Sequence, residues 1–577
     1  MSNSRHIWQN PSVRFLGLAA ALLTLMTASQ FIPLLGVWPS VALVVATTAI
    51  SPAYGLGLGI FIAPIQQFVT FGPGELHMLH GICWSFIAVR LATLCRFRDL
   101  GGLNKLVHSP VLLFIASFML LVVIHNGNSF LSRYFLLDVG FAGTIFLIVA
   151  AIILAERLPA HLTVVVVTAI MAAGFFSIAF DAILNYVPVP DLGPPASVMP
   201  PDKLRLAGLH SNPNATAKFI LAMQAIVGAA LIQRDAARMD RKRAWAWLLY
   251  CAVSLALVAT ATKSALAAFP LALIGLAVVS ISRDSWNRFH PWASIKLIGA
   301  GAAKAVGCFV LVFAVWAVII APPLKHHAAI EWLNSGKTES RSDLVVLAGP
   351  HTQISVTVPA GGQSRPPMPA RNLADIFSQE LRIGQSSQLR AEGVAGDLAD
   401  PFESVPKGET WVNRECGIAC TGQRDLLWTA GWHTVKDNWL WGIGYGSWKK
   451  ALFDKLSFPF DSPHSGFLEL WGEFGLAGAV MYVAFALLIA WRARQAGLVQ
   501  VAGGQKPFIV ACSLFAISIL ATELFEGTKF FAMSPHAIWI WTLLALQARF
   551  LDEAQAQLPP SDHDTTGTLI RSGNGEL

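Results

Sequence analysis

HLTVVVVTAIMAAGFFSIAFDAILNY, residues 161–186, decides the class of fold. Between His161 and Asp181 the run carries no ionisable side chain. At about 1.5 Å of rise per residue it reaches the ~30 Å of a bilayer's hydrocarbon core, where a helix satisfies its own backbone. Similar runs recur along most of the 577 residues, of which 54% are hydrophobic and 13% charged, with a mean hydropathy of +0.56. Soluble domains carry about a quarter charged residues, so the chain reads as an all-α polytopic membrane protein.

Apolar spans are predicted at 14–35, 38–52, 54–70, 79–95, 109–126, 135–155, 161–186, 215–233, 244–261, 264–282, 297–321, 466–490, 507–525 and 533–551. This makes about fourteen (12–14) helices, with boundaries good to a few residues. "ISPAYGLG" (50–57) leaves two readings open: a tight turn between short helices, or a break in one bent span. The opening "MSNSRHIWQNPSVRF" lacks the small-residue cleavage site of a secretory signal, so residues 1–13 read as a cytoplasmic N-terminus and the next run as a retained span.

Net charge is +7, and in a membrane protein its distribution carries topology, because Lys and Arg gather in short cytoplasmic loops. With the N-terminus inside, Arg96, Arg98, Lys105, the cluster "RDAARMDRKR" (234–243), Arg283, Arg288, Lys296, Arg492 and Arg494 fall on the cytoplasmic side. No nucleic-acid signature accompanies the excess of base. The domain layout follows: helices 1–11 over 14–321, a large loop over 322–465, helices 12–14 over 466–551, and a flexible cytoplasmic tail, 552–577. A loop of that length is a functional element or disordered. Its second half, "QRDLLWTAGWHTVKDNWLWGIGYGSWKKALF", has aromatic residues at helical spacing followed by a Gly-rich turn, and is expected to fold.

Ionisable groups at membrane depth cost about 2.5 kcal/mol or more unless paired or wetted, and several fall on the face opposite the cytoplasm. Lys263, in "TATKSA", reads as a snorkelling lysine or as a fixed cation flanked by Thr260, Thr262 and Ser264. Arg424 reads as a surface arginine at a helix start or as a second cation. In "RLAGLHSNPNATAKF" (205–219), Arg205, His210, Asn212 and Asn214 precede a span, and either asparagine serves equally as a helix cap. Asp138, Asp181, Glu469, Glu473, Glu523 and Glu526 lie near the outer ends of spans. Glu469 and Glu473 share a helix face, to pair with a cation or line a groove. "DSPHSGFLELWGEFGLAG" (461–478) sets His464 where the long loop meets the membrane. Cys416 and Cys420 suit a disulfide if the loop is extracytoplasmic. A metal reading of their CxxxC spacing lacks a second ligand pair nearby.

In this order, "RLAGLHSNPNATA", "TATKSALAA", "QRDLLWTAGWHTVKDNWLWGIGYGSW" and "PHSGFLELWGEFGLAG" resemble the O-antigen ligase/polymerase superfamily. Its members include O-antigen ligases, Wzy-type polysaccharide polymerases and protein O-oligosaccharyltransferases. The resemblance covers about residues 200–490. It implies a GT-C-like membrane fold with one large periplasmic loop over a cavity for an undecaprenyl-pyrophosphate-linked glycan, in the bacterial inner membrane. The family's TxSR motif matches Thr260–Lys263, with lysine in place of arginine. Its arginine followed by an aromatic matches Arg424 and Trp428. Its HNsyLqllaElGllG motif matches His464 to Gly478, with Ser465 for the asparagine and Leu468, Glu473, Gly475 and Gly478 in place.

The residue types suit the implied reaction. Breaking a glycosyl–pyrophosphate bond develops negative charge that fixed cations stabilise, the role expected of Lys263 and Arg424. His464 is the expected base for the acceptor hydroxyl, with inversion at the anomeric carbon. Arg205, His210, Asn212, Asn214 and Glu473 are expected to bind substrate. No Asp-x-Asp pair stands out, which fits a metal-independent reaction without a cofactor. The implied partners are the lipid-linked donor, a glycan or lipid A core acceptor, membrane lipid, a chain-length regulator and a flippase. Polymerisation is preferred, since about fourteen spans and a very long loop suit polymerases. Ligation to lipid A core or protein is the alternative within the family, and a bicarbonate-type transporter the alternative outside it.

Overall fold

The computed structural model describes residues 9–32, 37–65, 73–95, 108–125, 133–186, 213–233, 241–260, 262, 264–268, 270, 272, 291–320, 424–456, 462–498, 505–526 and 535–556. Lys263, Arg205, His210, Asn212, Cys416 and Cys420 lie outside them, and Arg424 and Asn214 are described by backbone alone. The secondary-structure elements in these segments are helical: α1 Pro11–Phe31, α2 Trp38–Ile50, α3 Pro52–Ile62, α4 Pro73–Ala92, α5 Pro110–His125, α6 Arg133–Leu154, α7 Leu162–Tyr186, α8 Pro213–Gln233, α9 Arg241–Ala259 and α10 Pro291–Val315. After the large loop come α11 Arg424–Asp437, α12 Trp448–Leu456, α13 Gly466–Phe474, α14 Leu476–Leu498, α15 Lys506–Glu523 and α16 Pro535–Ala556.

Five stretches are long and apolar enough to cross a membrane: Pro11–Ser29, Leu162–Ala179, Ala303–Ile320, Leu476–Ala496 and Lys506–Glu523. Seven shorter apolar helices accompany them among the described residues. This is the make-up of a multi-pass membrane protein.

The structure selects one of two open readings and divides one expected span. "ISPAYGLG" is a reversal: Ser51 is extended (φ −146°, ψ 111°), and α3 folds back along α2 with Gly55 against Thr48. The expected span 466–490 is two helices, because Gly475 takes φ 61° and ψ −147° between them. The membrane-length helix begins only at Leu476, so the boundary drawn at 466 moves ten residues along the chain. In a bundle without water, side-chain polar clasps help fix helix pairs. Gln224 of α8 donates to Ser254 of α9 (2.9 Å), and Tyr250 of α9 to the Ala305 carbonyl of α10 (3.2 Å). Gln547 of α16 donates to Ser513 of α15 (2.6 Å), and Trp539 of α16 to the Ile60 carbonyl of α3 (3.0 Å).

The contacts sort the helix ends into two levels. At one level Arg549 donates to the carbonyls of Ile153 and Glu156, Arg492 lies 3.8 Å from Asp552, and Arg90 donates to the Ala49 carbonyl. The end of α9, the start of α8, the end of α15 and the segment 462–476 occupy the other level.

Candidate functional site

Helices α11, α12 and α13 form a small cap with its own core of Leu427, Ala430, Val435, Trp448 and Leu452. Leu427, Ala430 and Val435 recur at helical spacing and give α11 one apolar face. Leu468 and Trp471 of α13 join that core from below, whereas Leu470 and Phe474 join the core of the bundle. α13 is therefore the joint between cap and bundle. Phe474 packs edge-on against Phe118 and His125 of α5, at 5.7 and 5.3 Å between ring centroids.

The turn 438–446 is zipped onto the end of α13. A helix leaves its last carbonyls without intrahelical donors. Here Ile443 N–H donates to the Gly472 carbonyl (2.7 Å) and Gly444 N–H to the Glu473 carbonyl (3.1 Å), while Leu476 N–H reaches back to Leu440 (3.2 Å). The Glu473 carboxylate accepts from Gly446 N–H at 3.0 Å. Glu473 thus has a bond within the fold: it ties the turn to the helix.

His464 stands at the opposite end of the same helix, two residues before Gly466. Its φ of 51° makes it the one non-glycine residue with positive φ among those described. An L-residue pays about 1–2 kcal/mol for the left-handed region, and such outliers concentrate at functional sites. The surroundings hold it there. Its N–H donates to Ser462 Oγ (3.1 Å), and its carbonyl accepts from Trp428 Nε1 (3.3 Å). Its neighbour Pro463 packs on Gly431 of α11. Arg424, one helical turn before Trp428, opens α11.

Trp428 links this turn to the bundle, with Phe525 lying 6.0 Å from it, centroid to centroid. Next along the chain, Glu526 accepts from Ser264 Oγ at 3.2 Å. Ser264 starts the helical turn 264–268, after the helix break that follows Ala259. At that break Thr260 Oγ1 donates to the Leu257 carbonyl (2.7 Å) and the Thr262 carbonyl accepts from Leu266 N–H (3.0 Å). Thr260, Thr262, Ser264 and Glu526 are all buried. Glu523, the last residue of α15, forms an ion pair with Lys218 of α8, and the two side chains are 1% and 5% exposed.

Among the described residues the fold therefore brings together His464, Trp428, the corner 523–526, Ser264, Thr260 and Thr262, at one level of the bundle. Glu473 belongs to the same cap through its backing helix. Reading the sequence missed the Lys218–Glu523 pair. A signal was present: Lys218 lies five residues after Pro213, directly before the apolar run Phe219–Met223, where an unpaired ammonium would be costly. No family model matches the chain, and no curated protein matches it.

Proposed function

We propose that the protein is a glycosyltransferase of the O-antigen ligase/polymerase type, acting on undecaprenyl-pyrophosphate-linked oligosaccharide at the periplasmic face of a bacterial inner membrane. The observation that carries this reading is the strained His464 turn, held by Trp428 beside the 523–526 corner and Ser264. A base is useful only if its backbone is fixed, and a residue kept at positive φ by three neighbours is fixed. The helix ends that carry Arg90, Arg492 and Arg549 lie at the other level of the bundle, which fits the positive-inside rule with the site outside the cytoplasm.

In this mechanism the His464 imidazole takes the proton of the acceptor hydroxyl as its oxygen bonds to the anomeric carbon. The carbon–oxygen bond to the pyrophosphate breaks, and the electron pair leaves with the pyrophosphate. Lys263 and Arg424 stabilise that charge, Arg424 in a bidentate grip and Lys263 as a point charge. Arg205, His210 and Asn212, which precede α8 in the chain, and Asn214, its second residue, are the proposed donor-binding side chains. The further details remain those of the resemblance: about fourteen spans, no metal or cofactor, and polymerisation preferred over ligation.

His464→Asn is the decisive variant, because asparagine tolerates the left-handed region while lacking the imidazole. Membrane-inserted protein with polymer or ligated product lost supports the assignment, and product of normal length overturns it. In the knockout, single repeat units surviving on lipid A core or loss of a secreted exopolysaccharide indicates a polymerase, and loss of all polymer from lipid A core a ligase. A second reading, anion transport of the bicarbonate type, draws on the buried Lys218–Glu523 pair, since intramembrane charges also mark transport paths. Uptake of radiolabelled bicarbonate that depends on the protein selects it.

A further inference from the structure

We propose that the turn 438–446 is a lipid-contacting surface, which seats the cap on the membrane and thereby fixes the height of His464. Trp441 is 77% exposed and Trp439 52%, with Leu440 also exposed between them. Two bare tryptophans flanking an exposed leucine in one turn are unusual in water, whereas the boundary between headgroups and acyl chains favours their amphipathic rings.

The level of this turn follows from its bonds. Leu440 accepts from the N–H of Leu476, the first residue of the membrane-length helix α14. On the bundle side, Gly444 approaches the carbonyl of His125, the last residue of α5. The turn therefore crosses the protein where two apolar helices end. Below it, α14 exposes Leu476, Val480, Val483, Leu487 and Trp491. Their spacing of three and four residues puts them on one stripe, which faces away from the bundle. From Leu476 to Trp491 the stripe is about 22 Å long. With an aromatic residue at each end it approaches the ~30 Å of the hydrocarbon core. Arg492, stacked on Trp491 at 4.7 Å, marks the far boundary. The Leu440–Leu476 bond sets the exposed Trp439, Leu440 and Trp441 beside the first residue of this stripe, so the occupant of the patch is the lipid that covers α14. Two further tryptophans repeat the pattern: Trp38 is exposed at the start of α2 on the turn's level, and Trp245 at the start of α9 on the other.

The mechanical consequence lies in α13. The turn is bonded to one end of this helix through Gly472 and Glu473, and His464 precedes the other end. Nine residues, or about 13 Å of helix, separate the lipid-seated turn from the strained histidine. The inference stands on the exposed patch and the helix ends, without the proposed chemistry.

The test uses the full chain in lipid vesicles, with its seven cysteines replaced. Nitroxide labels are placed singly at Trp441→Cys, at Val483→Cys on the stripe, and at Lys450→Cys, an exposed position on the cap. Power saturation compares access of oxygen, which partitions into lipid, with access of a water-soluble nickel chelate. The expected result is that position 441 loses nickel access relative to 450 and gains oxygen access, as 483 does. Trp439→Cys provides the same reading if the 441 variant does not fold. Nickel access at 441 equal to that at 450 overturns the proposal. Exclusion of both reagents overturns it too, and assigns the patch to a second copy of the chain.

Discussion

Replacing Lys218 by methionine should leave the Glu523 carboxylate inside the bundle with its ammonium partner gone. The two side chains are 5% and 1% exposed, so water reaches neither charge unless α8 separates from α15. Removing one partner of a buried ion pair costs about 3–5 kcal/mol, because the surviving charge stays desolvated. Replacing both partners with apolar residues of similar volume is neutral or stabilising by about 1–4 kcal/mol. Lys218→Met and Glu523→Leu should each lower the unfolding midpoint in detergent substantially, and the double variant should recover it. A thiol-reactive dye reports the transition, because Cys83 and Cys512 are buried and react only when the bundle opens. Midpoints must be compared at one heating rate, as membrane proteins unfold irreversibly. Single variants that unfold with the wild type would refute the buried pair. A double variant less stable than both singles would show that shape, and not charge, dominates the contact. Activity of the double variant separates two roles: recovery means the pair only joins α8 to α15, and continued loss in a folded protein means that its charge acts on substrate.

Gly475→Ala should destabilise the junction of α13 and α14 by about 1–3 kcal/mol from its dihedrals alone, and more because the new β-carbon meets the Leu440 carbonyl. Gly446→Ala has a similar φ but open space around it, so equal losses of thermal stability in the two variants would refute the contact term. On the cap surface, the Lys455 hydrogen bond, and then its charge, hold the Asp437 carboxyl below the usual carboxylate range. A depressed carboxyl contributes stability that is present above its unfolded value and is lost as the pH falls through the folded one. The small gap in unfolding midpoint between wild type and Asp437→Asn should therefore close on acidification below about pH 4, and shrink in high salt. A gap that persists unchanged in acid would show that the ion pair is not its source.

The helical, membrane-spanning character was legible from runs such as Leu162–Phe180, because bilayer thickness and backbone hydrogen bonding leave few alternatives. The break at Gly475 was harder to read. Phe474 and Leu476 are both apolar, and a glycine in an apolar run signals close packing as readily as a reversal. What the run hid was a change of partner: Leu468 and Trp471 face the cap while Leu470 and Phe474 face the bundle. Similarly, Glu473 was visible as a carboxylate on a membrane-facing helix, but its bond to Gly446 depends on how a turn 27 residues earlier folds back. Lys218 was legible as a costly charge, yet its partner lies 305 residues away. Propensity and periodicity act over a few turns, so long-range pairings of this kind are set by helix packing alone.

The positions proposed to carry chemistry share one property: each lies at a helix end. α9 breaks at Thr260, α15 ends at Glu523, and α13 begins just after His464. Irregular backbone at membrane depth persists only when buried in protein or lining a wet cavity, and here Thr260, Glu523 and Glu526 are buried at one corner of the protein. Its charge balance sharpens the proposal. Among the described side chains of this corner, Lys218 neutralises Glu523, and Glu526 leaves the sum negative. An anionic pyrophosphate would be repelled from that corner. The proposed reaction therefore needs both Lys263, next to Ser264, and Arg424, one turn before Trp428, to reverse the sign. Neutralising either cation alone returns the corner to balance, and neutralising both makes it hostile to the donor, so the two losses should compound rather than duplicate one another.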